Sequence, residues 1–484
     1  MEEPSMNREV PIGNEAHRGS SNGSCRNELI SINVINPDAS ASHSCSRNDD
    51  ELLRSMVNGA DRKFKNKKRQ KPKIQKVPLM LREIESNKKC YDPLVVSIGP
   101  YHHGKPELAP TEELKILLAN QFADKSKATI SDLYRKVAEM VNEDRNCYAE
   151  GSTDGFDDEA FALMMFLDGC FILQFIYCIV YGQSKDLMMK SHDIAFVRRD
   201  FFLFENQLPF AVLKLLMSMR FETVEGEEMI NRFIWRSRPE HPHESRAAQG
   251  SLEAKEKIRP EQQPSHLLEL VRTQHIDVGA FNQGGCYLKG EWWSYRSAME
   301  LKQVGIYCRP SNTRRFSDIT FKPNRGFSAR LMLPSVTIDD SSKSLFLNLV
   351  AYEACPDTPD DFGVTSYICF MDSLIDHAED VKELRSKGIL LNFLGSDQQV
   401  ADLFNEIATN LVPNPHGFVG AKQSIEDHYK SNIKVWMAEW RHMHFSTPWT
   451  IIAFVVAIIV INLGVLQTIL AAFQTYLTAY PPKK

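Results

Sequence analysis

The C-terminal end of the chain limits its possible folds more than any other feature. Between His442 and Pro482 there is no Asp, Glu, Lys or Arg. Within this stretch the run TIIAFVVAIIVINLGVLQTIL begins at Thr450 and ends at Leu470. A helix of this length rises about 30 Å, the thickness of a bilayer's hydrocarbon core. The run predicts one transmembrane helix, and Trp449 at its edge is typical of an interfacial aromatic residue.

The ends of the chain suggest a topology for this membrane protein. The N-terminus, MEEPSMNREV, lacks the basic start and apolar run of a cleaved signal peptide. We therefore expect a tail anchor, with the body in the cytosol, in the plasma membrane or an endomembrane. The flanking charges favour this orientation by one cation only, since three cations precede the span and two follow it: Lys430, Lys434, Arg441, Lys483 and Lys484. A lumenal body is the alternative.

Composition indicates a large soluble body on this anchor. The chain has 484 residues, of which 25% are charged, which is average for a soluble domain and excludes a polytopic transporter. The net charge of −5 makes the whole chain an unlikely nucleic-acid binder. Its ten cysteines form no CxxC pair, which fits reduced thiols in a cytosolic body, although disulfides in a lumenal body are the alternative.

Residues 1–73 are polar and rich in Ser and Asn, and we predict that they form a disordered tail. The tail ends in the basic run RKFKNKKRQKPK at residues 62–73. This run is interpreted first as a solvated linker. Contact with anionic lipid and a nuclear address are the alternatives.

Residues 74–440 are expected to form the folded body, interrupted by a mobile, proline-rich insertion at 236–264. Residues 441–484 would form a juxtamembrane segment and the span. The apolar run at 160–181 is long enough for a second span, but Asp168 and Gln174 interrupt it, and a central Asp opposes insertion by about 3 kcal/mol. We interpret this run as a buried core helix.

The rest of the body reads as mainly α-helical with one β-hairpin. Strands at 319–322 and 327–333 flank a turn at Asn324. Asn206 is spaced to cap a helix restarting at Pro209, and a helix through 366–387 is expected to stop at Gly388. Ser396, three residues before a Gln, predicts a capping box.

The last helix before the span, at about 423–443, carries an aromatic and aliphatic face formed by Tyr429, Ile433, Trp436 and Trp440. This face could be a stalk packed on the body, or the seam of a homo-oligomer. Pro448 is expected to kink or break the helix before the span.

No catalytic constellation is visible in the sequence. The adjacent pair His102 and His103 is interpreted as hydrogen-bonded turn histidines, since neighbouring residues point to different sides of an extended chain. Asp168, Asp200 and Glu205 could form a carboxylate site, but such residues more often cap helices or pair with cations. Nucleophile, Walker, zinc and dinucleotide motifs are missing, so we predict no enzyme activity, no cofactor and no metal site.

Several blocks of the body resemble the plant DUF247 family, whose members are also named UPF0481 proteins. The resemblance extends over residues 73–480 and is carried by KVPLMLREIESNKKCYDPLVVSIGPYHHGKPEL, LMMFLDGCFILQFI, VRRDFFLFENQLPFAVLKLL, AMELKQVGIY, NLVAYEAC and YICFMDSLIDHAEDVKELRSKGI. Two departures stand out. LAPTEELK follows Glu107 where Met-Glu and then Lys are more usual, and Gln174 replaces a common acidic residue.

The resemblance implies a membrane protein with a helical body, one C-terminal span and no established enzyme activity or cofactor. It also implies roles in reproductive traits, including self-incompatibility and suppression of female organ development. We expect it to act as a recognition or signalling protein that binds an unknown protein partner. An enzyme of unknown type and a nuclear regulator are the alternatives. The candidate surface residues of its motifs are Tyr101, His102, His103, Glu205, Asn206 and Gln207.

Overall fold

A computed structural model describes residues 54–55, 74–236, 263–277, 296–324, 328–431 and 448–479. The chain divides into two compact units, Met1–Phe64 and Lys65–Lys484. Most of the predicted tail, with its basic run, and nearly all of the predicted insertion at 236–264 lie outside the described residues. The fold below is that of the second unit.

The described part of this unit is mainly helical, as the sequence predicts. Its helices are α1 Leu79–Arg82, α2 Ala109–Asp124, α3 Ile130–Ala138, α4 Val141–Arg145, α5 Asp158–Val180, α6 Ser191–Asp200, α7 Phe210–Ser218, α8 Thr223–Arg236, α9 Leu267–His275, α10 Ala298–Gln303, α11 Ser342–Glu353, α12 Gly363–Leu374, α13 Ala378–Ser386, α14 Asp397–Ile407, α15 Val419–Lys430 and α16 Pro448–Ala479. Its strands are β1 Ile306–Pro310, β2 Thr320–Pro323, β3 Ala329–Leu333, β4 Val336–Ile338 and β5 Leu390–Asn392.

Helix α5 is the centre of the N-terminal half, where it packs against α2, α3, α7 and α8. Its Asp157 side chain accepts a hydrogen bond from the Ala160 amide and caps its start. The helix is apolar and long enough to cross a membrane, yet 78% of its most apolar 18-residue stretch is buried inside the protein. The prediction of a buried core helix is confirmed.

Gln174, in the middle of α5, holds a buried cation. Its side-chain oxygen accepts a hydrogen bond of 2.7 Å from Arg220. The Arg220 guanidinium lies over the rings of Phe122, Tyr177 and Phe221, at 4.6–4.8 Å from their centroids. An acidic residue at position 174, as the resemblance leads one to expect, would face this guanidinium directly.

The predicted hairpin is present, because β2 and β3 pair antiparallel. Two parallel pairings, β1 with β3 and β4 with β5, were not predicted from the sequence. Strands of three to five residues are too short for a recognisable alternation of apolar and polar residues. In these two parallel pairings the partner strands also lie more than 20 residues apart in the sequence. The result is a three-stranded sheet in the order β1-β3-β2 and a separate two-stranded sheet.

The helix expected through 366–387 is two helices, α12 and α13. The break occurs because Ile375 is extended and Asp380 turns back to accept hydrogen bonds from the amides of Asp376 and His377, forming a capping box. The second helix ends before Gly388, as predicted. The capping box of Ser396 is also present.

Helix α15 ends at Lys430, and residues 432–447 lie outside the described part, with three residues of the predicted face: Ile433, Trp436 and Trp440. Helix α16 then begins at Pro448, the first helical position, where a proline is tolerated rather than disruptive. The side chains at 452–475 are exposed, and none is buried against the rest of the protein. This apolar helix is a candidate membrane span.

Candidate functional site

The most unusual local structure is the segment at residues 94–99, which is in no helix and pairs with no strand in the described part of the chain. Its amides bond to side chains instead. The Asp200 carboxylate, at the end of α6, accepts hydrogen bonds of 2.7–3.1 Å from the amides of Leu94, Val95 and Val96. Burial raises the pKa of Asp200, and the three amides and Arg199 counteract this shift.

Two further side chains continue this pattern. Asn206 accepts from the Ile98 amide at 2.6 Å and donates to the Val96 and Asp200 carbonyls. Asp168 of α5 accepts from the Gly99 amide at 2.7 Å. Gly99 has φ +71°, and a Cβ there would lie 2.8 Å from the Gln207 carbonyl, so glycine is required.

The Asp168 carboxylate is balanced by a buried cation. The Lys115 ammonium, on α2, lies 2.6 Å from Asp168 and 2.7 Å from Glu112. Ser97 of this segment contacts both Lys115 and Glu112. Because Asp168 is about 1% exposed, removing Lys115 would leave its carboxylate as an uncompensated charge in the core.

Gln207 connects the loop that follows α6 to the start of α9. Its amide nitrogen donates to the carbonyls of Phe201 and Leu203, just after α6, and its oxygen accepts from the Leu268 amide in the first turn of α9. Asn206 and Gln207 therefore satisfy backbone groups at helix ends, as expected. Asn206 does not cap α7, however, since its side chain is committed to the segment at 96–98.

We call this set of side chains, Asp168, Asp200, Asn206, Gln207 and Lys115, the polar knot. It brings together three of the sequence blocks that carry the family resemblance. Each carboxylate and amide side chain of the knot bonds to backbone or to an opposite charge, so these contacts stabilise the fold.

Glu205 lies beside the knot and fixes the start of the body. Its carboxylate accepts a 2.7 Å hydrogen bond from the Val77 amide and lies 3.8 Å from Arg82. The His102 ring is 3.6 Å from the same carboxylate. His102 and Glu205 are therefore close together, but His102 is 2% exposed and Glu205 5%.

His102 is buried without a hydrogen bond to either ring nitrogen within the described residues. The expectation of a hydrogen-bonded turn histidine is wrong for this residue, although residues 101–104 do form a turn. Burial lowers the pKa of His102 to about 4, and the nearby cations Lys105, Arg82 and Lys76 add to the effect, while Asp92 opposes it. The ring is neutral near pH 7.

The prediction that the six motif residues form a surface is corrected for four of them. His102, Glu205, Asn206 and Gln207 are at most 5% exposed, because they satisfy or pack against the buried backbone. Tyr101 is half-buried and donates to the Ile74 carbonyl, and only His103 is exposed.

A second buried ionic group was not predicted from the sequence. Arg272 of α9 pairs with Glu353 at 2.8 Å and with Asp361. Glu353 also accepts from the amides of Val364 and Thr365 at the start of α12. The only sequence signal was an Arg on the apolar face of an amphipathic helix. Within the described residues, no three His, Cys, Asp or Glu side chains are grouped as a metal site would need.

His102 gives the protein a predicted pH dependence. Its folded pKa of about 4 lies below the ordinary value of 6.5, so the unfolded state binds more protons between these pH values. Stability is therefore fully present above pH 6.5 and falls by about 3 kcal/mol as the pH drops towards 4. His102→Phe, which removes no hydrogen bond, should be tolerated at pH 7 and should reduce this slope in urea unfolding curves. His103→Phe is the exposed control, and an equal slope in both variants contradicts the assignment.

Comparison with known sequences agrees with the motifs. The family described as DUF247, plant protein of unknown function, matches residues 74–463. A UPF0481 protein from Arabidopsis thaliana is 29% identical over 417 residues, covering 80% of this chain and 83% of its own length. A putative UPF0481 protein from the same plant is 23% identical over 481 residues, covering 81% and 89%. No solved structure is significantly similar. The chain belongs to the DUF247 family of plant proteins.

Proposed function

We propose that this protein is a membrane-anchored recognition or signalling protein whose helical body binds another protein. The anchor is α16, an apolar helix of 32 residues whose side chains at 452–475 are exposed. The family resemblance points to reproductive development as the process, through self-incompatibility or suppression of female organs.

The observation that carries the proposal is the surface held in place by the polar knot. The backbone from Val77 to Gly99 contains α1, a short 3₁₀ helix at Glu85–Cys90 and irregular segments between and after them. Asp200, Asn206 and Glu205 fix this stretch from inside through buried hydrogen bonds. This same stretch displays large apolar side chains to solvent. Their exposed fractions are 71% for Leu79, 66% for Met80 and 51% for Leu94. A surface whose backbone is held from inside and whose apolar side chains are exposed is suited to binding a protein partner.

The same contacts argue against the enzyme alternative. A general acid or base must reach a substrate proton within hydrogen-bond distance. The carboxylates of Asp168 and Asp200 already accept hydrogen bonds from backbone amides inside the core, and Asp168 also pairs with Lys115. We therefore propose a protein that acts by binding, without a cofactor.

Partner capture by the tagged full-length chain tests the proposal. We expect Leu79→Ser combined with Met80→Ser to lower recovery of a cross-linked partner from plant membranes roughly tenfold, as loss of a central apolar contact does. The partner is identified by mass spectrometry and quantified against the unchanged chain.

The matched control is Met188→Ser combined with Val224→Ser, which removes two apolar side chains, each 71% exposed, elsewhere on the body. A chain in which an unrelated span replaces residues 450–470 should keep the partner. Capture that survives loss of Leu79 and Met80 but disappears with the span change contradicts recognition by this surface.

The expected orientation is testable in sealed microsomes. We predict that protease added outside digests an N-terminal tag, because a tail-anchored body faces the cytosol. A protected tag would place the body in the lumen, and the partner would then be sought outside the cell.

A further inference from the structure

The three-stranded sheet presents one face that is positively charged. Burial alternates along its strands, so Ile306, Cys308 and Leu331 point into the core. The opposite face carries three exposed cations, one from each strand: Arg309, Lys322 and Arg330. We call these three residues the basic sheet face.

The stability of the folded chain does not explain why three cations share this face. Lys322 lies directly opposite Arg330 in the β2–β3 register, and like charges at such positions are destabilising. Strands β1, β2 and β3 contain no acidic residue. Among the described residues, none of the three cations has an ion-pair partner. An anionic partner outside the chain would remove this repulsion.

The sheet is also the part of the body from which the chain leaves for the membrane. Helix α15 packs against β2, where His428 contacts the ring of Phe321 at 6.3 Å between centroids. The same imidazole bonds to the Val304 carbonyl, two residues before β1, at 2.9 Å. The helix ends at Lys430, and α16 begins at Pro448. The intervening residues span at most about 60 Å.

We infer that the basic sheet face binds anionic phospholipid headgroups of the membrane in which α16 is anchored. This inference rests on the proposed membrane anchorage. Three cations attract an anionic bilayer only weakly, but the anchor makes the contact intramolecular, so a weak attraction is sufficient. The body would then lie against the membrane on its sheet side.

An anionic lipid is favoured over a nucleic acid as the partner. The face has only three cations, and the net charge of the chain is −5, so long polyanions are repelled by the rest of the molecule. The membrane, in contrast, is held within reach by the covalent anchor.

The test measures the reactivity of Lys322 in the full-length chain reconstituted into vesicles. A membrane-impermeant amine reagent is applied, and labelling of each lysine is read by mass spectrometry. We expect Lys322 to react several-fold more slowly in vesicles of phosphatidylcholine with phosphatidylserine than in phosphatidylcholine alone. Added salt should remove the difference. Lys185, an exposed lysine after α5, should react equally in both.

Charge variants show whether the face itself is responsible. Arg309→Gln combined with Arg330→Gln should abolish the protection of Lys322, since each cation contributes roughly fivefold to the attraction. Arg135→Gln combined with Arg232→Gln removes the same charge from α3 and α8 and should leave the protection intact.

Equal Lys322 rates in the two bilayers would overturn the inference, and so would protection given only by added RNA or polyglutamate. Failure of the chain to float with phosphatidylcholine vesicles would instead contradict the anchorage on which the proposed function depends.

Discussion

The fold depends on one unusual interaction, in which the side chains of Asp168, Asp200 and Asn206 take the place of a neighbouring strand. Residues 94–99 belong to no helix or strand, and residues 96–99 are buried, so the amides of this segment need partners other than a neighbouring strand. Asp200 pairs with three of them, Asn206 with a fourth and Asp168 with a fifth. These side chains come from α5, from the end of α6 and from the loop before α7, at 69 to 108 residues' distance along the sequence. The segment is thereby attached to the buried helix α5 and to the region that follows α6.

These buried contacts also determine the shape of the surface around α1. With its backbone fixed from below, the stretch around α1 can expose Leu79 and Met80 without collapsing onto the core. The three-stranded sheet contacts α15, from which the chain continues to α16. The surface around α1 and the basic sheet face differ in chemistry, since the first is apolar and the second is cationic. A protein partner suits the first surface and an anionic membrane the second.

Features governed by local pattern were predictable from the sequence. The buried helix α5, the hairpin of β2 and β3, and the capping box at Ser396 follow from periodicity and turn residues. The polar knot was not predictable, because a side chain that accepts from a backbone amide 100 residues away leaves no periodic signal. Asp200 and Glu205 were recognised only as carboxylates near apolar runs. For the same reason, burial of His102 and the Arg272 ion group could not be inferred from composition.

Hydrogen–deuterium exchange of the intact protein tests the central claim most directly. Amides in an irregular surface segment ordinarily exchange as fast as those of mobile loops. Amides bonded to buried acceptors exchange only when the core unfolds locally. The polar knot predicts that the amides of Val96, Ile98 and Gly99 exchange as slowly as those in the middle of α5. Exchange of these three amides at the rate of an exposed loop would contradict the claim that buried side chains hold the segment in place.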